Sequence, residues 1–410
     1  MHNNRFHLLY FTAEQWPTFR PDVVALFGKY LPRYGITCDL VTERNSAVED
    51  NPEMPWGGGQ AVLCNVPRNR ASQHLVKFWH NLRVLIAMDG KKYDAIQVRD
   101  MSVTALAGLI VARLKGIPFF YWLSYPQSEG QIDRAMARGI KGGMRFWFPL
   151  LQGTFGKWLL YRVVLPRSDH VFVQSRQMQL DVAKQGIPMS KMTPVPMGVD
   201  TEIVRPESIV PMDEPRFAGK RVVVYLGTLD PNRQIEILLQ MLVHVRVAIP
   251  NILLVLVGDT TDASHREWLK QEAVRLGVAE LVAWTGWLES GMAWRYARSA
   301  EFGLSPIPRG NLLDMGSPTK AVEYMALGLP VLVNDNPDQA QVIAESGAGL
   351  CVKLEPWAFA ESVIRLLSDD GLRHKMGGEG PRYIIRTRAY DGLASAVAKK
   401  YHALRPERLP

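Results

Sequence analysis

The 410-residue chain has little cysteine, and its three, Cys38, Cys64 and Cys351, are scattered. They offer neither a disulfide framework nor a metal-ligand spacing, which fits a reduced, cytoplasmic compartment. Long apolar runs are also missing. No stretch of about 20 uninterrupted apolar residues is available to span a bilayer. The longest candidate, Met101 to Pro126, is broken by Arg113, Lys115 and the Gly116-Ile117-Pro118 turn. The apolar run after His7 is short and meets Glu14, so no secretory signal is expected. Solenoid-length repeats, low-complexity tracts and any Asp-x-Asp pair are absent too.

Acidic residues are lacking in one place in particular: none lies between Asp133 and Asp169. That stretch holds Arg134, Arg138, Lys141, Arg145, Lys157, Arg162 and Arg167, which leaves the rest of a chain of net charge +8 close to neutral. Phe146, Trp147, Phe148, Phe155, Trp158 and Tyr161 are interleaved with the cations. A basic, aromatic-rich segment without acids suits an anionic membrane surface, nucleic acid or a phosphorylated ligand. No nucleic-acid-binding module is recognisable, so nucleic acid is not expected as a partner.

The composition is otherwise that of a globular protein, 47% hydrophobic and 21% charged, which excludes wholesale disorder. At about 100–200 residues per domain, two or three domains are expected. Short apolar strand patterns at Arg5–Thr12, Ile36–Thr42, Lys92–Val98, Pro118–Leu123 and His170–Gln174 alternate with helical spacings at Asp22–Tyr34, Ser102–Leu114 and Ser175–Gln185. The alternation restarts at Val222–Leu226 and continues to a final helix over Asp391–Leu404. Such βα alternation predicts parallel sheets covered on both faces, here two doubly wound α/β domains. The expected division is 1–200, a proline-rich linker over 201–219, 220–385, and a C-terminal helix over 386–410 packing back on the first domain. Ligands in such sheets bind outside the carboxyl ends of the strands, and a cleft between the domains is expected there.

Two motifs can carry chemistry. In Tyr225-Leu-Gly-Thr-Leu229, Gly227 directly after a buried strand lets backbone approach a ligand, with Thr228 beside it and Arg233 expected at the head of the next helix. The second is Ser317-Pro-Thr-Lys-Ala-Val-Glu-Tyr-Met-Ala-Leu-Gly-Leu-Pro-Val331. Ser317 reads as an N-cap and Pro318 as the first helical residue, with Thr319 following. Lys320 reinforces the positive helix end, and Glu323 shares its helix face. An anion-holding lysine beside a carboxylate that accepts from paired hydroxyls suits a nucleoside diphosphate. The plainer alternatives are an ordinary βα turn and a surface helix with an (i, i+3) ion pair.

Taken with Val195-Pro-Met-Gly-Val-Asp200, these segments resemble a family 4 glycosyltransferase of the two-domain GT-B type. The similarity covers nearly all of residues 165–370. The resemblance implies retaining transfer of a sugar from a nucleotide-diphosphate donor, UDP- or GDP-linked, to an acceptor hydroxyl. It gives Arg233 and Lys320 to the diphosphate, Glu323 to the ribose and Trp287 to the nucleobase. Thr228 stands where many members have a second arginine. The first of the family's paired glutamates falls at Met315, with Asp314 one position earlier, and the family's common histidine falls at Ser124. No cofactor or metal is expected, because the cations replace one. Acceptor-side candidates are Arg20, Asp22, Arg99, Ser124 and Glu129, with Asp100 as the catalytic carboxylate. A lipid-linked saccharide acceptor would place the enzyme on the inner face of the cytoplasmic membrane, in exopolysaccharide or surface-glycan assembly. Arg145, Trp147, Phe148, Lys157, Trp158 and Arg162 would then meet the lipid. A sugar-nucleotide epimerase of the same fold, or a catalytically weak transferase-like partner protein, are the competing readings.

Overall fold

The computed structural model describes residues 5–18, 20–45, 55–67 and 70–405. The chain forms two units, Met1–Met197 together with Tyr390–Pro410, and Gly198–Ala389.

The first unit is built on a seven-stranded sheet: β1 (Phe6–Phe11), β2 (Ile36–Glu43), β3 (Ala61–Cys64), β4 (Ala95–Arg99), β5 (Phe119–Leu123), β6 (His170–Val173) and β7 (Met192–Pro194). Their order is β3-β2-β1-β4-β5-β6-β7, and the paired strands are parallel throughout. Runs such as FHLLYF and FFYWL are buried on both faces, which is why they read as continuous apolar stretches and not as alternation. One face packs Tyr10, Trp122 and Phe172 against Tyr390 and Tyr401 of the last helix, Tyr390–Ala403. Tyr401 Oη donates to Gln97 Oε1 at 2.6 Å, anchoring that helix on the middle of the sheet.

The second unit has six parallel strands: β8 (Arg221–Leu226), β9 (Ile252–Val257), β10 (Val282–Gly286), β11 (Phe302–Ser305), β12 (Val331–Asn334) and β13 (Gly349–Val352). Their order is β10-β9-β8-β11-β12-β13. Two apolar clusters cover its faces, one centred on Leu238, Leu242 and Phe359, the other on Val224, Tyr324 and Met325. The strand order reverses between β1 and β4 in the first unit and between β8 and β11 in the second. These are the switch points at which open α/β sheets take ligands.

Some local expectations change. Asp22–Tyr30 winds as a π-helix followed by a 3-10 turn, Leu31–Tyr34, and not as one α-helix. The stretch 201–219 is no free linker. It belongs with the second unit, where Met212 donates to Arg295 O at 3.1 Å and Ser299 Oγ donates to Met212 O at 3.0 Å. Tyr390, and not residue 386, opens the return to the first unit.

Candidate functional site

In the second unit, β8 runs out at Leu226 and the backbone turns through Gly227 at φ 139°, a conformation that favours glycine. Gly227 N–H donates to Val257 O at 2.8 Å, and Gly258 beside it (φ 133°) leaves no room for a side chain against Gly227 O. The helix Thr319–Ala326 arrives from the other side of the switch point, after β11. Its Lys320 lies across Gly227: a Cβ there would be 2.4 Å from Lys320 Cε and 3.0 Å from Nζ. The ammonium also sits over the Tyr225 ring, 5.3 Å from its centroid.

Arg233 lies in a 3-10 turn, Pro231–Arg233, and not at the helix head; Gln234 in the left-handed region separates it from the helix Glu236–Ala248. Its Nε reaches Thr228 Oγ1 at 3.4 Å, so the threonine that stands in place of a second arginine steadies the first. Burial, helped by the Arg233 charge, pushes Lys320 down to about 7, while Glu323 opposes the shift. Burial pushes Glu323 up to about 7, against the pull of Lys320 and a hydrogen bond from Trp294. Trp294, on the helix Ser290–Arg298, has no signal in the sequence that could have marked it.

Pro318, and not Ser317, occupies the N-cap of the Thr319 helix, with extended backbone. Ser317 Oγ donates to Asp338 Oδ2 at 2.8 Å and accepts from Arg388 Nη1 at 3.2 Å, inside a buried Arg388–Asp338 ion pair of 2.8 Å. Ser317 therefore fixes the entry to the helix from behind. Asp314 is held by Arg309, Nε to Oδ1 at 2.9 Å and Nη2 to Oδ2 at 3.1 Å. Trp287 follows Gly286 at the carboxyl end of β10 with its side chain exposed.

In the first unit, the carboxyl ends of β4 and β5 gather five of the six acceptor-side residues. Arg99 is fully buried and donates to Ser124 Oγ from Nε at 3.1 Å and Nη2 at 3.0 Å. Its Nη2 also pairs with Asp22 Oδ2 at 2.9 Å. Burial opposes the Arg99 charge, but Asp22, Tyr10 and Asp100 together hold it firmly protonated. Arg20 reaches Asp22 at 3.4 Å and Glu14 at 3.3 Å, and its Nη2 lies 3.4 Å from Ser124 Oγ. Asp100, in the left-handed region at φ 53°, accepts from Ser124 N–H at 2.8 Å and Tyr125 N–H at 3.3 Å, and from the Ser124 hydroxyl. Burial raises its pKa although Arg99 and these bonds oppose it. Asp100 thus shapes the β5 turn. Glu129 stands apart, hydrogen-bonded to Tyr161, whose pKa rises through burial and this carboxylate.

The acid-free segment begins in the last turns of the helix Gln127–Arg138 and continues in the helix Met144–Trp158, which runs on through Leu159–Val164 to Arg167. Trp147, Phe148, Leu151, Phe155 and Trp158 are exposed, whereas Phe146 and Tyr161 are buried. Positions 144, 147, 148, 151, 155 and 158 follow helical spacing, so the exposed apolar groups form one stripe. Arg145 and Arg162 are exposed and Lys157 half-buried. Among the described residues no helix is long and apolar enough to cross a membrane, and no group of three or more His, Cys, Asp or Glu could hold a metal.

A family model for glycosyl transferases group 1 matches residues 211–383, and one for a glycosyl transferase 4-like domain matches residues 18–198. The chain is 28% identical over 224 residues to a GDP-mannose-dependent alpha-(1-6)-phosphatidylinositol monomannoside mannosyltransferase of Mycolicibacterium smegmatis; the match takes in 53% of this chain and 58% of the relative. In fold it is similar to Anabaena HepE in complex with UDP and glucose, with TM-score 0.70, 14% identity, and 97% and 100% of the two chains covered. It is also similar to WaaG, a glycosyltransferase involved in lipopolysaccharide biosynthesis, with TM-score 0.68, 13% identity, and 96% and 99% covered. Two parallel-sheet domains, the Gly227–Lys320 site at a switch point and the paired family models agree: the chain belongs to the group 1, family 4 glycosyltransferases of GT-B fold.

Proposed function

We propose that the protein is a retaining glycosyltransferase that moves a sugar from a nucleotide-diphosphate donor to a hydroxyl of a lipid-linked saccharide. The observation that carries this reading is the packing of Lys320 across Gly227, with Arg233 near enough to depress its pKa and Glu323 one turn further on. A diphosphate laid over Gly227 would meet two cations and a helix N-terminus as the glycosidic bond breaks and negative charge grows on the leaving group. Lys320, its pKa lowered to about 7 by burial, would be drawn to the full ammonium by the anion. Glu323 would accept from the ribose hydroxyls, oriented by Trp294, and the exposed Trp287 would lie against the nucleobase. These residues suffice for leaving-group stabilisation without a metal. The acceptor hydroxyl would attack on the face from which the diphosphate leaves. Arg20, partly exposed beside the buried Arg99–Ser124–Asp100 cluster, would offer its cation to the acceptor's anionic part.

The acceptor class rests on the apolar stripe flanked by Arg145 and Arg162, which suits the interfacial zone of an anionic cytoplasmic leaflet. The mannosyltransferase relative, by its name, acts on a phosphatidylinositol glycolipid, and WaaG belongs to lipopolysaccharide assembly. A peripheral position on the inner membrane face in surface-glycan or exopolysaccharide assembly follows. The test is incubation of purified protein with radiolabelled UDP- and GDP-sugars and membrane lipid extract, with and without chelator. Label in the lipid fraction with retained anomeric configuration is expected. Isomerised nucleotide would identify an epimerase, and no reaction with any donor would favour a transferase-like partner protein.

A further inference from the structure

The first unit carries a groove of about 800 Å³ that the proposed transfer does not use. Its floor is apolar: Leu106, Ile110 and Leu114 from the helix Ser102–Lys115, facing Val163 and Pro166 at the end of the long basic helix. Its volume lies within the roughly 300–1,000 Å³ typical of small-ligand sites. From Leu106 to Leu114 the helix rises about 12 Å, enough to lie along a short acyl chain.

The groove is not part of the acceptor cluster. Arg113 precedes β5, Asp169 precedes β6 and Lys191 precedes β7, so these groups mark the amino ends of the strands. Arg99, Asp100 and Ser124 stand at the carboxyl ends.

The rim is cationic. Arg113, Arg167 and Lys191 surround it against the single carboxylate of Asp169. Arg113 pairs with Asp169 at 3.1 Å, and Lys191 Nζ donates to Pro166 O at 2.5 Å. Arg167 Nη1 donates to Arg162 O at 3.1 Å and Val163 O at 3.2 Å. Three positive charges over one negative leave a surplus beside an apolar trough, the charge pattern complementary to one phosphate joined to a hydrocarbon chain. Burial also lowers the Lys191 pKa, a strain that an anion would relieve. Ile110 and Leu114 are exposed, as large apolar side chains awaiting an occupant would be.

We propose that this groove binds one anionic membrane phospholipid, its acyl chain along Leu106–Leu114 and its phosphate at Arg113, Arg167 and Lys191. The proposal rests on the membrane reading above for its setting, and it adds a discrete lipid site at the far end of the helical run that begins with the exposed stripe. The bound lipid is a resident anchor, and the sugar acceptor is a separate molecule.

The test uses the full-length protein and lipid monomers, so it needs no bilayer. Dihexanoyl phosphatidylglycerol below its micelle concentration is titrated by calorimetry, beside dihexanoyl phosphatidylcholine and inorganic phosphate. Saturable one-to-one binding of the phosphatidylglycerol is expected, at least about tenfold tighter than either control. Ile110→Asp, at an exposed position, should weaken it about tenfold or more with an unchanged circular dichroism spectrum. Lys191→Gln should narrow the gap between the two lipids. A stripe variant, Trp147→Ala with Trp158→Ala, should bind the monomer as the native protein does. Equal binding of both lipids, phosphate binding as tightly as phosphatidylglycerol, or an unaffected Ile110→Asp variant would each overturn the site. Failure of the stripe variant to leave vesicles would instead count against the membrane reading alone.

Discussion

Lys320 occupies the space that a side chain at Gly227 would need, with Cε 2.4 Å from where a Cβ would stand. The two residues lie far apart in sequence and belong to elements on opposite sides of a switch point, so the proposed donor site is a juxtaposition that neither motif contains. Gly227→Ala must therefore displace Lys320 and also hold alanine at φ 139°. We expect a stability loss of about 1–3 kcal/mol and weakened donor binding. Denaturant melts and nucleotide-sugar calorimetry check both; native affinity in this variant would remove Lys320 from the diphosphate.

Lys320→Ala tests the cation itself. If it stabilises the leaving diphosphate, kcat should fall by about 10²–10³-fold, the loss seen for single charge-stabilising donors. Steady-state rates with the nucleotide sugar that labels the lipid fraction measure it, and a change below threefold would contradict the assignment.

Donor affinity should be bell-shaped in pH and centred near 7. Bound diphosphate favours the Lys320 ammonium and raises its pKa; ribose hydroxyls favour the Glu323 carboxylate and lower its pKa. Above about pH 7 the free lysine has lost its proton. Binding then takes one up, and affinity falls as pH rises, by up to about tenfold per unit. Below about pH 7 the free Glu323 is protonated, binding releases a proton, and affinity falls with pH. A nucleotide sugar is the probe, since its diphosphate stays fully ionised throughout. Calorimetry in buffers of different ionisation enthalpy should show uptake at pH 8 and release at pH 6. A flat affinity between them would refute the pairing.

Arg99→Ala would leave the buried Asp100 carboxylate without its cation and Asp22 with Arg20 alone. Breaking a buried pair from one side costs about 3–5 kcal/mol, to be read from chemical denaturation. Asp100→Asn should be milder, since asparagine tolerates the left-handed backbone and can still accept from Ser124 and Tyr125 N–H. Equal damage from both variants would contradict a shaping role for Asp100.

Replacing Trp147, Phe148 and Trp158 by alanine should release the protein from anionic vesicles with little change in melting temperature, because all three side chains are exposed. Co-sedimentation with phosphatidylglycerol vesicles measures this, and undiminished sedimentation would exclude the stripe as a docking face.

Much of the fold was legible because buried parallel strands are continuous apolar runs, as in FFYWL and RVVVYL. Short or mixed strands gave no such signal. β3 (AVLC), β7 (MTP), β10 (VAWTG) and β13 (GLCV) went unseen, being short or mixed in composition and held by pairing with β2, β6, β9 and β12. In the candidate site, Gly227, Arg233, Lys320 and Glu323 were singled out through their motifs. Trp294 was not, since an indole on an amphipathic helix looks like any other packing residue. The role of Ser317 was misread because local spacing suggests a cap, while Asp338 and Arg388, distant in sequence, claim its hydroxyl.

The sequence by itself determined most of the strands and helices, where the Gly227 and Lys320 motifs lie, and that the surplus of positive charge sits in one acid-free stretch. Local patterning decides these, since burial and capping act over a few residues. Only the tertiary structure decided which aromatics of that stretch face outward, with Phe146 and Tyr161 buried and Trp147, Phe148 and Trp158 exposed. Only it placed Asp100 and Ser124 in one hydrogen-bonded turn and set Lys320 across Gly227. The reason is physical: each depends on packing between elements brought together by the sheet order, and that order is fixed by long-range burial, beyond the reach of any local pattern.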